Sequence, residues 1–370
     1  MKIDRIDIHH VAMPLIYPFR TAFGDTTSIE SVLVRMRSDE LVGWGEASPW
    51  GSPAFSPEWA AGAFALVRDH LGPLVIGRDV RSGEELQRLL RPVKGNPFAK
   101  ASLDLAWWDL RAQELGQPLW RVIGGTGDTV EVGADLGVMD SLEELLEKIA
   151  CAQTCGFKRT KLKYRPGWEV NMVSAVREAF PEMAMHVDCN SAYSLDDVDM
   201  FRELDRYNLA MIEQPLAHDD LLDHAQLSKQ IETPICLDES IISVSKARQA
   251  IAIRACEWVN IKVGRVGGLT NALAIHDVCQ EAGMPCWVGG MLESAVGQSH
   301  SLALATLPNI RYPSDIFPTN RFYEEDLAEP RMELSGPSRV EASARPGIGC
   351  RPNSERLKRS LIASAVIKPG

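Results

Sequence analysis

The sequence predicts an α/β fold in which a small α+β domain precedes a closed barrel of alternating strands and helices. Two observations support this prediction. The order of strand-like and helix-like segments changes near residue 125. Beyond that point, eight strand-like runs recur about every 25–30 residues, most of them separated by a helical pattern. Strands that alternate with helices form parallel sheets, and eight such units can close into a (β/α)8-type barrel.

The first 125 residues contain alternating segments followed by helical ones. Alternation of apolar and polar residues predicts three strands, at 2–14, 29–37 and 40–47. Helical periodicity predicts three helices, at 57–71, 82–92 and 98–115. Strands that precede helices in this way are typical of an α+β domain, which we place at residues 1–125.

The barrel is predicted over residues 126–320. Its strand-like runs are 130–137, 160–164, 183–190, 209–216, 233–240, 257–264, 285–292 and 311–316. After the last run the chain is rich in Pro, Gly and acidic residues, so a regular eighth helix is not expected. We expect the final segment, 321–370, to return to the first domain.

Composition excludes several classes of protein. The formal net charge of the 370-residue chain is -11, and nucleic-acid binding requires a basic face. No run reaches the ~18–20 apolar residues of a membrane span, and the N-terminus lacks the apolar stretch of a signal peptide. The eight scattered cysteines are typical of reduced thiols in a cytoplasmic protein. We therefore expect a cytoplasmic protein whose partner is a small molecule.

Ionisable residues recur where the barrel strands end. They are Lys161, Lys163, Asp188, Glu213, Asp238, Lys262 and Glu293. From Lys163 to Lys262 the successive intervals are 25, 25, 25 and 24 residues. A single such residue is commonly solvated, salt-bridged or an N-cap of the next helix. Because the C-terminal ends of barrel strands face the active site, charges repeated in register predict a catalytic centre.

Asp188, Glu213 and Asp238 are expected to converge at the mouth of the barrel. Three anions held close together repel one another unless a cation neutralises them. Ligation by carboxylate oxygens alone favours a hard ion, most simply Mg2+. The sequence therefore predicts a magnesium site, at which Mn2+ or another divalent ion could substitute.

Lys163 and Lys262 are expected to face each other, because strands two and six of an eight-stranded ring lie on opposite sides. A substrate carboxylate on the metal would place its α-carbon between two amines. One lysine would remove the α-proton and the metal would stabilise the enediolate, while the other would return a proton or stay cationic. Lys161 shares a strand face with Lys163, so its charge should lower the pKa of Lys163.

Seven segments of the sequence resemble the enolase superfamily and its muconate-lactonizing-enzyme-like subgroup. Five of them lie at the barrel strands: KLK (161–163), VDCN (187–190), IEQP (212–215), LDES (237–240) and NIKVGRVGG (260–268). Two more, WVGGMLES (287–294) and the long helix and its extension at 99–125, resemble the o-succinylbenzoate synthase / N-succinylamino acid racemase family. The resemblance extends over nearly the whole chain.

This resemblance implies a modified TIM barrel, (β/α)7β, with an N-terminal α+β capping domain, in a homo-oligomer. It implies that Lys163 and Lys262 are the acid/base pair, with Lys161 as a third catalytic-site lysine. Asp188, Glu213 and Asp238 would hold Mg2+, with Asn190 and Glu239 in support. Residues expected to line the substrate site are Phe23, Trp50, Phe55, Asp135, Met291 and Glu293. The aromatic ones belong to capping loops that could exclude water.

Several positions depart from the pattern of that family. Asp135 stands where a small Ser is typical, and its carboxylate would disfavour a second substrate anion. Gln298 stands where Arg is common, and Cys189 and the segment 314–321 also differ. These differences leave the substrate open.

Three functions therefore remain. The first is racemisation of an N-acyl(succinyl)amino acid or dehydration to o-succinylbenzoate. The second is a different reaction on the same scaffold, such as muconate cycloisomerisation or dipeptide epimerisation. GGMLES after strand seven lacks the Asp-x-Asp of the epimerases. The third is a non-enzymatic barrel, which the presence of both lysines disfavours.

Overall fold

The computed structural model describes residues 1–21, 24–164 and 166–370, within which fifteen strands form four sheets. The strands are β1 (Arg5–Thr21), β2 (Gly24–Ser38), β3 (Leu41–Ala47), β4 (Thr129–Glu131), β5 (Ala134–Leu136), β6 (Arg159–Lys163), β7 (Ala184–Asp188), β8 (Ile212–Glu213), β9 (Ile235–Leu237), β10 (Trp258–Ile261), β11 (Cys286–Val288), β12 (Ala328–Glu329), β13 (Arg339–Glu341), β14 (Arg351–Pro352) and β15 (Leu361–Ile367).

The helices are α1 (Ala60–Leu66), α2 (Gly72–Val75), α3 (Gly83–Leu90), α4 (Pro97–Glu114), α5 (Leu119–Val122), α6 (Leu142–Thr154), α7 (Glu169–Ala179), α8 (Val198–Leu204), α9 (Leu221–Leu227), α10 (Val244–Ile253), α11 (Leu269–Glu281), α12 (Ala295–Ala305) and α13 (Ser354–Ser360). A π-helical segment, Val67–Leu71, joins α1 to α2. Single 3-10 turns lie at Leu195–Asp197, Asp205–Tyr207 and Thr319–Arg321.

The first domain is an antiparallel sheet of order β15-β1-β2-β3, packed against α1 to α4. β1 and β2 form a long hairpin whose pairing runs from Arg5 and Arg37 to Thr21 and Gly24. One face of this hairpin is apolar and buried, through Ile6, Ile8, Val32, Val34 and Met36. The last strand of the chain, β15, pairs with β1, so the C-terminal segment ends in this sheet.

Helix α4 lies directly against β3, and two glycines make this contact possible. A Cβ added at Gly45 would lie 2.4 Å from the backbone nitrogen of Ala106 and 2.4 Å from the carbonyl oxygen of Ser102. A Cβ at Gly43 would lie 2.2 Å from the carbonyl oxygen of Ala106. Protein interiors are packed too densely to absorb such overlaps. The sequence GWGEA therefore fixes how closely the helix approaches the sheet.

The second domain is built on seven parallel strands in the order β5 to β11. Helices α6 to α12 follow these strands one by one, which is the βαβ pattern that the sequence predicts. Buried apolar residues of successive strands, including Leu162, Val187, Ile212 and Leu237, belong to the continuous core. Each of these strands is only two to five residues long. The residue that ends a strand therefore lies near the buried core and also at the mouth of the barrel.

Residues 309–315 close the ring in place of a regular eighth strand. On one side the backbone nitrogen of Cys286 donates to the carbonyl of Asn309 at 3.0 Å. On the other side the backbone nitrogen of Ser314 donates to the carbonyl of Glu131 at 2.9 Å. Pro313 has no N–H, so this segment cannot form a full ladder. The strand predicted at 311–316 is therefore reduced to isolated bridges.

A buried carboxylate of the first domain binds the start of α12. Glu46 accepts hydrogen bonds from the backbone nitrogens of Ser294 at 3.2 Å and Gly297 at 3.0 Å. Burial raises the pKa of Glu46, while these N–H groups at the helix N-terminus favour its charged form. The contact holds the end of β3 beside the residues that follow β11.

The predicted fold class is confirmed, with some differences in the elements. The run at 130–137 contains two strands, since β4 pairs with β13 and only β5 joins the barrel sheet. The break falls at Gly133, where a Cβ would lie 2.1 Å from the guanidinium carbon of buried Arg159. The helix predicted at 57–71 begins at Ala60 and changes to π-helix at Val67. Across the three described ranges, no helix has the length and apolar character that crossing a membrane requires.

Replacing Gly45 by Ala is expected to destabilise the protein, because the new methyl group would overlap the backbone of α4. Overpacking of this kind costs about 1–3 kcal/mol or more. The matched control is Gly127→Ala, since a Cβ there meets nothing within 4 Å. Urea unfolding followed by circular dichroism compares the two variants. Equal midpoints would show that α4 can move away from β3 at no cost.

Candidate active site

Charged side chains end neighbouring strands of the barrel at one level. In the parallel pairing, Lys163 lies opposite Asp188, and Asp188 lies opposite Glu213. Adjacent strands are about 4.8 Å apart, so these side chains are near neighbours. Asp238 and Lys262 follow β9 and β10 directly. The structure therefore brings together the five residues predicted to form the acid/base pair and the metal site.

Lys161 is held between the carboxylates. Its Nζ lies 2.8 Å from Oδ2 of Asp188, 2.8 Å from Oε2 of Glu213 and 3.5 Å from Oδ2 of Asp315. Burial alone would lower the pKa of Lys161, but these three carboxylates raise it well above its usual value. Lys161 is thus a fixed cation, and its charge allows Asp188 and Glu213 to be buried side by side.

The carboxylates of Asp188, Glu213 and Asp238 form a row along neighbouring strands. Lys163 and Lys262 lie at opposite ends of this row. The Nζ of Lys163 is 2.8 Å from Oδ2 of Asp188, at the first strand of the row. The Nζ of Lys262 is 2.9 Å from Oδ2 of Asp238, at the last. Glu213 lies on the strand between them. The two amines therefore flank the carboxylates from two sides, as the strand order predicts.

The charge of Lys161 lowers the pKa of Lys163, as predicted, but the net shift of that pKa is upward. Burial lowers the pKa of Lys163, and the charge of Lys161 lowers it further. Asp188 and Asp135 act in the opposite direction and outweigh both effects, so the pKa rises. The charge of Lys161 is offset by its own carboxylate partners. The alternation of side chains along one strand shows that the two lysines share a face, but it does not show the carboxylates on the strands beside it.

Arg265, which the sequence analysis did not select, also binds Asp238. Its Nη1 contacts Oδ1 of Asp238, so the two oxygens of that carboxylate are shared between Arg265 and Lys262. Two carbonyl oxygens, those of Asn260 at 2.8 Å and Ile241 at 3.2 Å, hold the guanidinium in place. In the sequence, the one feature that points to Arg265 is its position in GRVGGL (264–269), shortly after β10.

Glu213 has two further partners that the sequence analysis missed. Nδ2 of Asn260 donates to Oε1 at 2.8 Å, and Nε2 of His186 lies 3.3 Å from Oε2. Burial and the charge of Asp188 raise the pKa of Glu213, while the charge of Lys161 favours its ionised form. Burial lowers the pKa of His186 well below its usual value, so His186 is neutral beside Glu213. These contacts fix the orientation of the Glu213 carboxylate.

Asn190 and Glu239, predicted to support the site, are in contact with each other. Nδ2 of Asn190 donates to Oε1 of Glu239 at 3.1 Å, and the backbone nitrogen of Asn190 donates to Oδ1 of Asp188 at 3.1 Å. Burial, with the charges of Asp238 and Asp188, raises the pKa of Glu239 to about 7. Oε2 of Glu239 has no hydrogen-bond partner among the described residues.

The donor chemistry of this row fits a hard divalent cation. Three buried carboxylates on adjacent strands offer oxygens alone, and Oε2 of Glu239 is a further unpartnered oxygen close by. In the described residues, no three His, Cys, Asp or Glu side chains are already arranged as a metal-binding group. Ammonium and guanidinium groups contact the carboxylates instead. A bound ion would share these oxygens with the lysines.

Aromatic side chains of the first domain cover the row. Trp50 donates from Nε1 to the carbonyl of Met291 at 3.0 Å, and its ring centroid lies 5.9 Å from that of Phe55. The Nζ of Lys262 is 4.8 Å from the centroid of the Phe55 ring. Phe19, missed in the sequence, lies 5.9 Å from Nζ of Lys163. Phe23, which was predicted to line the substrate site, lies outside the described residues.

The remaining residues predicted to line the substrate site, Asp135, Met291 and Glu293, lie in two different parts of the structure. Asp135 lines a cavity of about 730 Å³, whose other walls come mainly from β1, α6 and residues 318–322. The carboxylate of Glu293 instead accepts a hydrogen bond from the backbone nitrogen of buried Met291 at 2.8 Å. Gln298 bridges the carbonyl of Glu293 and the backbone nitrogen of Phe317, which explains a neutral amide at this position. Substrate binding by Met291 and Glu293 stays a prediction.

Comparison with known proteins identifies both parts of the chain. Residues 4–124 match the family model described as mandelate racemase / muconate lactonizing enzyme, N-terminal domain. Residues 144–356 match the model described as enolase C-terminal domain-like. Together these matches cover most of the chain.

Characterised relatives and solved structures agree with these matches. An N-succinylamino acid racemase from Thermus thermophilus is 44% identical over 333 residues, which is 90% of this chain and 90% of the relative. An o-succinylbenzoate synthase from Geobacillus stearothermophilus is 39% identical over 97% of this chain and 96% of the relative. The crystal structure of an enolase superfamily member from Listeria innocua superposes with a TM-score of 0.96 at 36% identity, covering 100% of this chain and 99% of that one.

Replacing Lys161 by Met is expected to destabilise the protein in the presence of a chelator. The variant buries Asp188 and Glu213 without their shared cation, and breaking a buried ion pair in this way costs about 3–5 kcal/mol. The control is Lys148→Met, which removes an exposed charge from α6. Urea unfolding in EDTA measures both. A loss no larger than that of the control would mean that Lys163, Lys262 and Arg265 suffice to neutralise the row.

Proposed function

This chain belongs to the enolase superfamily, and we propose that it catalyses Mg2+-dependent abstraction of the proton α to a carboxylate in an N-acylamino acid. Enzymes of this superfamily catalyse proton-abstraction reactions. Racemisation of N-acyl(succinyl)amino acids is the leading reaction, with dehydration to o-succinylbenzoate as a second activity of the same site. The relatives from Thermus thermophilus and Geobacillus stearothermophilus support the two reactions respectively.

One observation supports the proposal above all others: two lysine amines flank a single row of carboxylates. Lys163 binds one end of the row and Lys262 binds the other. Racemisation requires a base on one face of the α-carbon and an acid on the opposite face. An α-carbon placed over the row would meet an amine from each side, so one arrangement could act on both enantiomers.

Asp188, Glu213 and Asp238 would hold Mg2+, which members of this superfamily generally bind. When bound, the ion supplies positive charge that stabilises the enediolate formed from the substrate carboxylate. Asn190, Asn260 and His186 keep the carboxylate oxygens oriented. Lys163 and Lys262 move the proton at the α-carbon.

Lys161 has a different role from the other two lysines. Its ammonium is enclosed by three carboxylates and its side chain is only 2% exposed. An amine in that position cannot reach a substrate carbon without giving up its partners. We therefore propose that Lys161 neutralises Asp188 and Glu213 and does not exchange protons with the substrate.

Phe19, Trp50 and Phe55 would exclude water from the reacting carbon. They form one connected group, since Trp50 contacts both Phe19 and Phe55. A dry site strengthens the attraction between the developing negative charge and the cations around it. The homo-oligomeric state and the cytoplasmic location expected from the sequence stay predictions.

The decisive experiment follows exchange of the α-proton in D2O by proton NMR, with Mg2+ and both enantiomers of N-acetyl- and N-succinyl-amino acids. We expect Lys163→Ala and Lys262→Ala each to abolish exchange from at least one enantiomer, because each removes the amine on one face. Lys229→Ala, at an exposed position that does not line the cavity of Asp135, should retain full exchange. Exchange that survives in both active-site variants, for both enantiomers, would exclude the two-lysine mechanism.

Removal of the metal gives a separate test. Chelation with EDTA is expected to stop exchange, and added Mg2+ should restore it, because the enediolate would lose its stabilising charge. Asp238→Asn should weaken Mg2+ binding at least tenfold when the affinity is measured by calorimetry. Exchange that continues unchanged in excess EDTA would contradict a role for a divalent ion.

A further inference from the structure

The turn after β10, residues 262–268, begins with Lys262 and is closed by its own backbone. The backbone nitrogen of Val266 donates to the carbonyl of Lys262 at 3.2 Å, and that of Gly268 donates to the carbonyl of Val263 at 2.9 Å. Gly268 has a φ of 110°, a conformation that favours glycine. The turn leads directly into α11, so the groups that hold the start of α11 also bear on the position of Lys262.

A carboxylate of the first domain binds the start of α11. Oδ1 of Asp104, on α4, accepts from the backbone nitrogen of Thr270 at 3.0 Å, and Oδ2 accepts from the Thr270 hydroxyl at 2.6 Å. Asp104 is completely buried, and burial raises its pKa to about 6, so the carboxylate is mainly charged above that pH. Free N–H groups at a helix N-terminus attract anions. The glycine-rich segment 264–269 therefore leads into a helix whose anion is supplied by the chain itself.

Gln87, on α3, connects the same carboxylate to the turn. Its Nε2 donates to Oδ2 of Asp104 at 2.9 Å and to the carbonyl of Gly267 at 2.8 Å. A Cβ added at Gly268 would lie 2.4 Å from Oδ1 of Asp104. The carboxylate therefore lies against the backbone of the turn, with no room for a side chain between them.

Helix α4 also connects this turn to the aromatic cover. A Cβ added at Gly264 would lie 2.8 Å from the ring of Phe98, at the start of α4, so the helix and the turn are in direct contact. Glu58 accepts hydrogen bonds from two backbone nitrogens at the start of α4, at 2.8 and 2.9 Å. It closely follows Phe55, whose ring centroid lies 4.8 Å from Nζ of Lys262. The first domain therefore reaches Lys262 both through the turn and through the cover.

We propose that Asp104 is a positioning residue that holds the turn after β10 and thereby places the amine of Lys262 at the α-carbon. The inference rests on the proposed function, and it gives a side chain of the first domain a role in one of the two proton transfers. Lys163 lies on β6, four strands from β10 in the sheet, so it should keep its position when this contact is lost. A displacement of about 1 Å in a reacting group can slow a step by about a hundredfold. Loss of Asp104 should therefore slow proton transfer by Lys262 more than by Lys163.

The test compares α-proton exchange in D2O from the two enantiomers of N-acetyl- and N-succinyl-amino acids, with Mg2+ at pH 8. Asp104→Asn keeps the volume of the side chain but turns an NH2 group toward the donors of Thr270 or Gln87. We expect the ratio of the two exchange rates to change about tenfold, with the slowed enantiomer being the one that Lys262→Ala affects more. Gln87→Met, at a partly exposed position, should change the ratio in the same direction and serves if Asp104→Asn does not fold.

The matched control is Asp109→Asn, on the same helix. Asp109 is also buried and also accepts two backbone N–H groups, but these belong to Trp44, at 2.7 Å, and Ile348, at 2.8 Å, which are not part of the turn after β10. A variant that only loosens the fold should lower both exchange rates together. The ratio for this control should therefore stay within twofold of that of the parent protein.

The inference is overturned if Asp104→Asn and Gln87→Met change the ratio no more than the control does. It is also overturned if the enantiomer that depends on Lys163 slows more than the other. A parent protein that exchanges neither enantiomer would overturn the proposed function, and this inference with it. Exchange in the parent with an unchanged ratio in the variants would overturn the inference alone.

Discussion

Carboxylates buried side by side must be neutralised, and this requirement organises the mouth of the barrel. Asp188, Glu213 and Asp238 are almost completely buried on three adjacent strands. Unpaired charges in such a setting would cost several kcal/mol each. Lys161, Lys163, Lys262 and Arg265 provide the compensation. The same cations that allow the carboxylates to be buried are therefore placed where a substrate carboxylate would bind.

The closure of the barrel is tied to this network through one residue. Asp315 follows the short connection that replaces an eighth strand, and its backbone nitrogen donates to the carbonyl of Val288 at 2.8 Å. Its side chain binds buried Arg159 at 2.7 Å and lies 3.5 Å from Lys161. The ion pairs thus run from the segment that completes the ring to the carboxylate row. The first domain adds the aromatic cover and is anchored at α12 through Glu46.

Sequence spacing was sufficient to find the residues that end the strands, because the βα repeat places one position per unit at the mouth. It could not find Asn260 or His186, since their contacts with Glu213 depend on how side chains pack across the core. Phe19 was missed because nothing in the sequence shows that its ring lies near the amine of Lys163. The pKa of Lys163 was misjudged for a related reason: its nearest charges include residues on neighbouring strands, which sequence distance hides.

The central claim is that two amines approach one α-carbon from opposite faces above a shared divalent ion. A crystal structure with Mg2+ and N-acetyl-2-aminoisobutyrate tests it most directly. We expect oxygens of residues 188, 213 and 238 on the ion, and the nitrogens of residues 163 and 262 on opposite sides of the α-carbon at roughly 3–4 Å. Both nitrogens on the same side, or an ion bound elsewhere, would contradict the claim.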